Sequence, residues 1–476
     1  MAPLFTRSSP ELGIRLEGGQ TRFSPGHVVV GCVYRSIQTV SPQARLTVAI
    51  HGWSESKITT RGRVHYGRFN FFDPSRTTQV LLLDKPLHIQ PDSEGGGATW
   101  HFAIRIPSYI DWETLITTGA SQQHSFLSLG PCAVATHQLA PSFNFEGGMT
   151  EKRLKAFVEY YVQAELQLSQ KGKIKIHRVI LPLPVKNLFP GPPVPDFKLK
   201  RQPSTHQVCS QRLVPGTQVS GMGISLSQKT SKLLGSSKGP KFACELKVDV
   251  PTALQLESPN YVPLCISIEP LWNRTSVMIQ NVPQRLKLES LTLRLIPVTE
   301  IKVQDMDMDG AVDSAMCGSE EIDLITPDAI QALGRDIYIS CPETNTDASL
   351  CDEHPGLPID IGELLEFRLG YPTKGQTRKP FTEALYPGFT TYNIHHSHCL
   401  WWDIRGTLAG EKIRTSSQQK VILLPPPSPV TPVQQPPLQS TSWRIRLPGD
   451  EPPPPSYPQS QMEAGMQNVF VETEAT

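Results

Sequence analysis

The sequence predicts an all-β protein: two β-sandwich domains joined by a long linker and followed by a proline-rich tail. Two blocks of short runs alternate apolar and polar residues and are closed by glycine or proline, the pattern of half-buried strands. Proline is in excess, with 45 in 476 residues, about twice the average usage of about 5 %. A hydrophobic fraction of 38 % is low for a wholly globular chain and too high for a wholly disordered one. Folded domains diluted by proline-rich segments satisfy all three observations. The 45 Lys+Arg and 44 Asp+Glu nearly cancel, to +1, which excludes a globally basic, nucleic-acid-binding chain.

Residues 1–184 read as the N-terminal sandwich. Met1 to Gly18 has no apolar core, so no secretory signal is expected. Val28-Val29-Val30 follows the turn signal Ser24-Pro25-Gly26, Arg45 to Gly52 alternates and stops at glycine, and Trp100 to Pro107 alternates and stops at proline. Lys152 to Leu168 fits a helical face through Leu154, Phe157, Tyr161, Ala164 and Leu168. Yet Val158, Tyr160, Val162, Ala164, Leu166 and Leu168 recur strictly at period two, and the β-branched and aromatic content favours a long strand.

Residues 185–240 change character. Pro190-Gly191-Pro192-Pro193-Val194-Pro195 opens a Ser-, Gln-, Lys- and Gly-rich segment that reads as a basic linker or mobile loop, with nine Lys/Arg against one acid from Lys186 to Lys241. Strand signals return over 241–424, in Cys244 to Val250, Leu286 to Leu295 and Leu365 to Leu369. An acidic insertion, 305–366, holds sixteen Asp/Glu against the single Arg335 and reads as a short helix (Pro327 to Leu333) and a long loop. Thirteen of the residues 425–476 are proline, so this tail is expected to be extended or disordered. Trp443-Arg444-Ile445-Arg446-Leu447 and the run from Pro452 to Tyr457 stand out in it.

The apolar runs, such as Val80 to Leu83 and Val421 to Leu424, are far short of the about 20 residues of a spanning helix, which predicts a soluble or membrane-peripheral chain. Nine scattered cysteines, an odd number without a Cys-x-x-Cys pair, fit reduced cytosolic thiols. Asp305-Met306-Asp307-Met308-Asp309-Gly310 copies the first half of a calcium loop, but Met316 stands where the bidentate glutamate belongs; a solvated acidic loop is the better reading. His395-His396-Ser397-His398-Cys399 looks like a metal cluster. On a strand, however, His396 and His398 share one face and His395 and Cys399 the other, so only two ligands converge where zinc needs four. Gly95-Gly96-Gly97 lacks the lysine and the helix start of a phosphate-binding loop. No catalytic residue, metal or cofactor is assigned. Pro454-Pro455-Ser456-Tyr457 is a PPxY motif. Pre-extended polyproline II loses little entropy on binding aromatic grooves, and the tyrosine fills a neighbouring pocket, as WW-domain ligands do. A chance tyrosine among prolines is the bland alternative.

Taken in order, the strand patterns resemble the fungal α-arrestin family, the arrestin-related trafficking adaptors. Phe23 to Gly31 looks like the family's proline-glycine turn into a strand, and Arg45 to Gly52 its third-strand pattern. Leu139-Ala140-Pro141-Ser142-Phe143 is similar to its Leu-Pro-Pro-Ser-Phe segment, with Ala140 replacing a proline, and Val158 to Val162 matches its Tyr-centred strand. Phe389 to Leu400 resembles the strand opening the closing hairpin, with Val421 to Pro425 as the last strand. The resemblance spans about residues 12–424. It implies two arrestin-like β-sandwich domains and a non-enzymatic adaptor. Such an adaptor links cytosolic tails of membrane transporters or receptors to a HECT-type ubiquitin ligase with WW domains, acting in endocytosis from the cytoplasmic side of plasma membrane or endosomes. Pro454, Pro455, Ser456 and Tyr457 would bind the WW domain, and Lys229, Lys232 and Lys238 would be ubiquitin acceptors. Several relatives carry two or more PPxY motifs and this chain has one, which implies weaker recruitment. An arrestin-fold signalling scaffold without a ligase is the alternative. The basic segment could also lean on an anionic membrane or pair with the acidic one.

Overall fold

Period-two alternation dominates the backbone: among its described residues the computed structural model has twenty-one strands in four sheets. It describes residues 12–18, 22–60, 63–90, 97–117, 121–149, 152–170, 172–214, 239–280, 282–303, 314–318, 321–341, 357–371 and 385–428. None of the described helices exceeds the six residues of Trp112–Thr117, and none is long and apolar enough to cross a membrane.

One sheet runs in the order β1 (Gly13–Leu16), β2 (Val28–Arg35), β6 (Ala98–Arg105). The second is built on β3 (Thr39–Thr60) and β8 (Lys152–Gln170), which pair antiparallel from Gln43↔Ser169 to Thr60↔Lys152. β4 (Arg63–Asn70) and β5 (Val80–Ile89) flank β3; β7 (Phe143–Met149) and β9 (Lys173–Pro182) flank β8. Alternate residues of β8, from Leu154 to Leu168, are at most 3 % exposed and join Val29, Val33, Phe102 and Ile104 in one core. Each Leu and Val among them removed from water contributes about 1.5–3 kcal/mol, which is why period two prevails over the weaker helical pattern here.

The strand expected to end at Gly52 continues to Thr60. Gly52 is a packing position: a Cβ there would lie 2.6 Å from the Tyr160 ring and 3.0 Å from Phe72. The Tyr160 ring fills that space, and its hydroxyl donates to the Ala140 carbonyl at 2.7 Å.

The second core lies between two further sheets. One is β10 (Leu199–Cys209), β11 (Lys241–Pro251), β13 (Cys265–Pro270), β18 (Ile359–Asp360). The other is β12 (Ala253–Gln255), β21 (Glu411–Leu424), β20 (Ile394–Leu408), β14 (Arg285–Lys302), β15 (Ser314–Gly318). β16 (Ile322–Ile325) and β17 (Ile337–Ser340) also pair with β14, and β19 (Phe389–Thr390) with β20. Ile301 and Val303, at the end of β14, and Tyr392 and Ile394, at the start of β20, belong to the first core, whereas Leu286 to Leu295 and Leu400 to Leu408 supply the second. These two strands therefore serve both cores.

Three segments depart from the sequence reading. Residues 199–209, expected in the 185–240 linker, form β10 and pair along their whole length with β11. Its inward residues Gln202, Ser204 and His206 are polar, which hides the alternation, and Pro203 is tolerated because β10 is an edge strand. The acidic insertion 305–366 is partly sheet. Arg294 holds Asp323 at 2.7 Å and Glu321 at 2.9 Å, and Lys287 holds Asp336 at 2.8 Å, so part of its charge is spent across the ladder. The helix expected at Pro327 to Leu333 is a turn followed by a 3-10 turn, Gln331–Leu333, that Gly334 ends at φ +67°. The last strand begins at Glu411, ten residues before the Val421 expected, because its first part, Glu411 to Lys420, is mostly polar.

Candidate functional site

Pro454, Pro455, Ser456 and Tyr457 lie outside the described residues, as do Lys229, Lys232, Lys238 and the calcium-loop-like Asp305 to Gly310. The described chain fixes where two of these segments attach. Ser428 N–H donates to the Phe189 carbonyl at 3.0 Å, and Phe189 N–H to that of Pro426 at 2.9 Å. Residues 215–238 depart from Val214 and rejoin at Gly239, at the end of the second core where β10 stops and β11 starts.

The histidine cluster sits on β20 with the alternation expected: His396 and His398 are buried, His395 and Cys399 half-buried. Phe143, Phe389 and Tyr386 surround His396, the first at 4.8 Å between ring centroids, and His398 crosses it edge-on at 4.7 Å. His396 Nδ1 has one polar partner, the Thr299 hydroxyl at 3.0 Å. Burial pushes its pKa down to about 3, with His398 and His395 adding to the effect. Burial alone brings His398 down to about 4, and both its ring nitrogens lack a hydrogen-bond partner. Both rings are therefore neutral across the physiological range. No three His, Cys, Asp or Glu among the described residues are grouped to hold a metal ion.

Beside this cluster, a polar seam joins the ends of β14 and β20 to the first core. Asn393, fully buried, is its centre. Its Nδ2 donates to Ser56 Oγ at 3.0 Å and to the Gly67 carbonyl at 2.9 Å; its Oδ1 accepts from Ser54 Oγ at 2.6 Å and Thr391 Oγ1 at 3.2 Å. Ser56 Oγ donates onward to the Lys302 carbonyl at 2.5 Å. At the rim, Lys302 Nζ donates to the Ser125 carbonyl at 2.9 Å and lies 4.6 Å over the Phe126 ring. Neutral groups saturate one another here, so the seam locks two elements together and gains specificity from full satisfaction. Sequence reasoning missed it: Ser54 and Ser56 sit on the buried face of β3, where two serines in alternate positions were the available signal.

The opposite face of β3 and β8 forms a groove. His51 stacks on Tyr161 at 4.6 Å, Trp53 meets Tyr161 edge-on at 5.1 Å, and the Arg68 guanidinium lies 4.7 Å over Trp53. Two adjoining hollows of about 260 and 250 Å³ share His51. Burial, followed by the Arg68 charge, brings His51 down to about 4. Burial and then Glu55 raise the Glu159 carboxyl. Trp53 Nε1 is buried without a partner. The groove thus exposes aromatic faces beside a neutral imidazole, groups whose chemistry is stacking and hydrogen bonding.

No protein-family model matches the chain, and no curated protein matches it.

Proposed function

We propose that the chain is a non-enzymatic adaptor that links cytosolic tails of membrane transporters or receptors to a WW-domain, HECT-type ubiquitin ligase, promoting ubiquitination, endocytosis and protein trafficking. The observation that carries the reading is Pro454-Pro455-Ser456-Tyr457, set in a proline-rich tail that follows an all-β body. A tetrapeptide of this chemistry offers a pre-extended backbone and one aromatic anchor, which WW grooves read. The two cores support an arrangement of two arrestin-like sandwiches, and the order of the α-arrestin-like segments along the chain supports the adaptor class. In this reading the protein works at the cytoplasmic face of plasma membrane or endosomes, and Lys229, Lys232 and Lys238 accept ubiquitin.

The test is binding of a peptide covering residues 448–462 to isolated WW domains, with Tyr457→Ala as control, followed by ligase pull-down with the full chain. The native peptide binds and the variant loses most of its affinity. Equal binding by both peptides refutes ligase recruitment and leaves the signalling scaffold as the better account.

A further inference from the structure

The far end of the second core carries an apolar projection among exposed cations, and we propose that this end docks on the headgroup layer of an anionic lipid bilayer. The inference rests on the membrane-peripheral placement proposed above, and not on ligase recruitment.

The projection is the connection from β13 to β14, built from two 3-10 turns, Trp272–Arg274 and Val277–Ile279. It is held rigidly. Thr275 is buried; its Oγ1 donates to the Leu271 carbonyl at 2.9 Å and accepts from Ala243 N–H at 3.1 Å. Ser276 N–H donates to the Lys241 carbonyl at 2.8 Å, and its Oγ accepts from Lys241 N–H at 2.9 Å. Ile279 is fully buried in the second core. A 3-10 turn has three residues per turn, so inserting Ile279 turns the other two outward. Val277 is 82 % exposed and Met278 66 %. Isolated exposed apolar side chains are ordinary; two adjacent ones, held out by a satisfied and anchored loop, form a built feature.

The cations at this end come from separate parts of the chain. Lys241 is bound to Ser276, Arg274 lies within the projection, and Arg285 opens β14 directly after it. Ser210 Oγ donates to the Ala409 carbonyl at 3.0 Å, which brings Arg212 against the β20–β21 hairpin and Lys412. All five side chains are exposed, and none forms an ion pair among the described residues. Of the acids at this end, Asp336 is already taken by Lys287, and Glu411 stands next to Lys412 at the hairpin. Among the described residues the end therefore offers net positive charge around a hydrophobic point, which complements acidic headgroups over an apolar layer. Each basic group near an anionic surface strengthens partitioning about fivefold, and each apolar side chain half-removed from water about tenfold. The seventeen residues of β14 from Arg285 to Ile301 span about 55 Å at about 3.4 Å per step, so a bilayer contact here leaves the seam and the groove of the first core free.

Co-sedimentation of the full chain with vesicles of phosphatidylcholine, alone or mixed with phosphatidylserine, tests this. The wild type sediments with the mixed vesicles, and added salt releases it. Val277→Ser with Met278→Ser lowers the partition coefficient by about tenfold or more, with an unchanged melting curve because both side chains are exposed. Lys241→Gln with Arg274→Gln lowers it on mixed vesicles by about tenfold or more and leaves it unaltered on phosphatidylcholine. Equal partitioning of the Val277/Met278 variant and the wild type overturns the proposal, as does equal wild-type binding with and without phosphatidylserine, or no sedimentation at all. WW-peptide binding that persists while vesicles fail confines the error to this inference; the reverse result confines it to ligase recruitment.

Discussion

Acidification from pH 8 to pH 5 should destabilise the fold through His396 and His398. Both are buried, with folded values near 3 and near 4 against about 6.5 in an unfolded chain. Between those values the unfolded state binds protons that the folded state refuses, so stability rises with pH. The contribution is complete above about pH 6.5 and is lost as pH falls toward the folded values. At pH 5 the unfolded rings lie about 1.5 units below their midpoint, which amounts to about 2 kcal/mol for each histidine, or about 4 kcal/mol for the pair. His398 is the cleaner probe, because its ring nitrogens have no partner to orphan. Urea unfolding followed by tryptophan fluorescence at pH 8, 6.5 and 5 should show His398→Leu losing about 2 kcal/mol less than the wild type over that interval. At pH 8 the variant should be at least as stable, since it buries no unsatisfied polar atom. Parallel pH profiles for variant and wild type would refute the argument and mean that His398 gains a solvent path or a partner.

Asn393→Ala removes two donated and two accepted hydrogen bonds in the seam and leaves Ser54 and the Gly67 carbonyl to pair elsewhere. A loss of about 3 kcal/mol in a denaturant titration is expected; a loss under about 0.5 kcal/mol would mean that water replaces the amide. Gly52→Ala places a methyl 2.6 Å from the Tyr160 ring and should cost about 1–3 kcal/mol, read as a lowered melting temperature; a neutral outcome would mean that β3 and β8 can spread. Tyr160→Phe deletes one buried hydroxyl bond to Ala140 and should cost about 1 kcal/mol by the same measurement, with no effect expected on ligase pull-down by the full chain.

The all-β class was legible because long strands such as Lys152–Gln170 carry their burial in strict alternation. The missed strands share one physical cause: edge strands with polar faces have no hydrophobic period to display. β10 hides behind Gln202, Ser204 and His206, and the start of β21 behind Thr415, Ser416 and Ser417. Glycine misled in the other direction, since Gly52 reads as punctuation and serves as space for a ring. The seam was invisible for a different reason. Asn393 meets Ser54 and Ser56 across more than three hundred residues, a juxtaposition that only the register of β3 and the start of β20 creates. Val277 and Met278 had no sequence signature either, because only the burial of Ile279 decides which residues of that turn face out.

The sharing of β14 and β20 between the two cores bears on how the protein is made. The first core includes Ile301, Val303, Tyr392 and Ile394, so residues up to Val185 cannot complete their packing when they leave the ribosome. About 210 further residues must be added first, about 10–40 s at about 5–20 residues per second. During that wait the buried face of β3 around Ser54 and Ser56 is without Asn393 and the Lys302 carbonyl. The nascent N-terminal core stays incomplete until Ile394 emerges, and truncation before Tyr392 should yield an aggregating product rather than a stable N-terminal half.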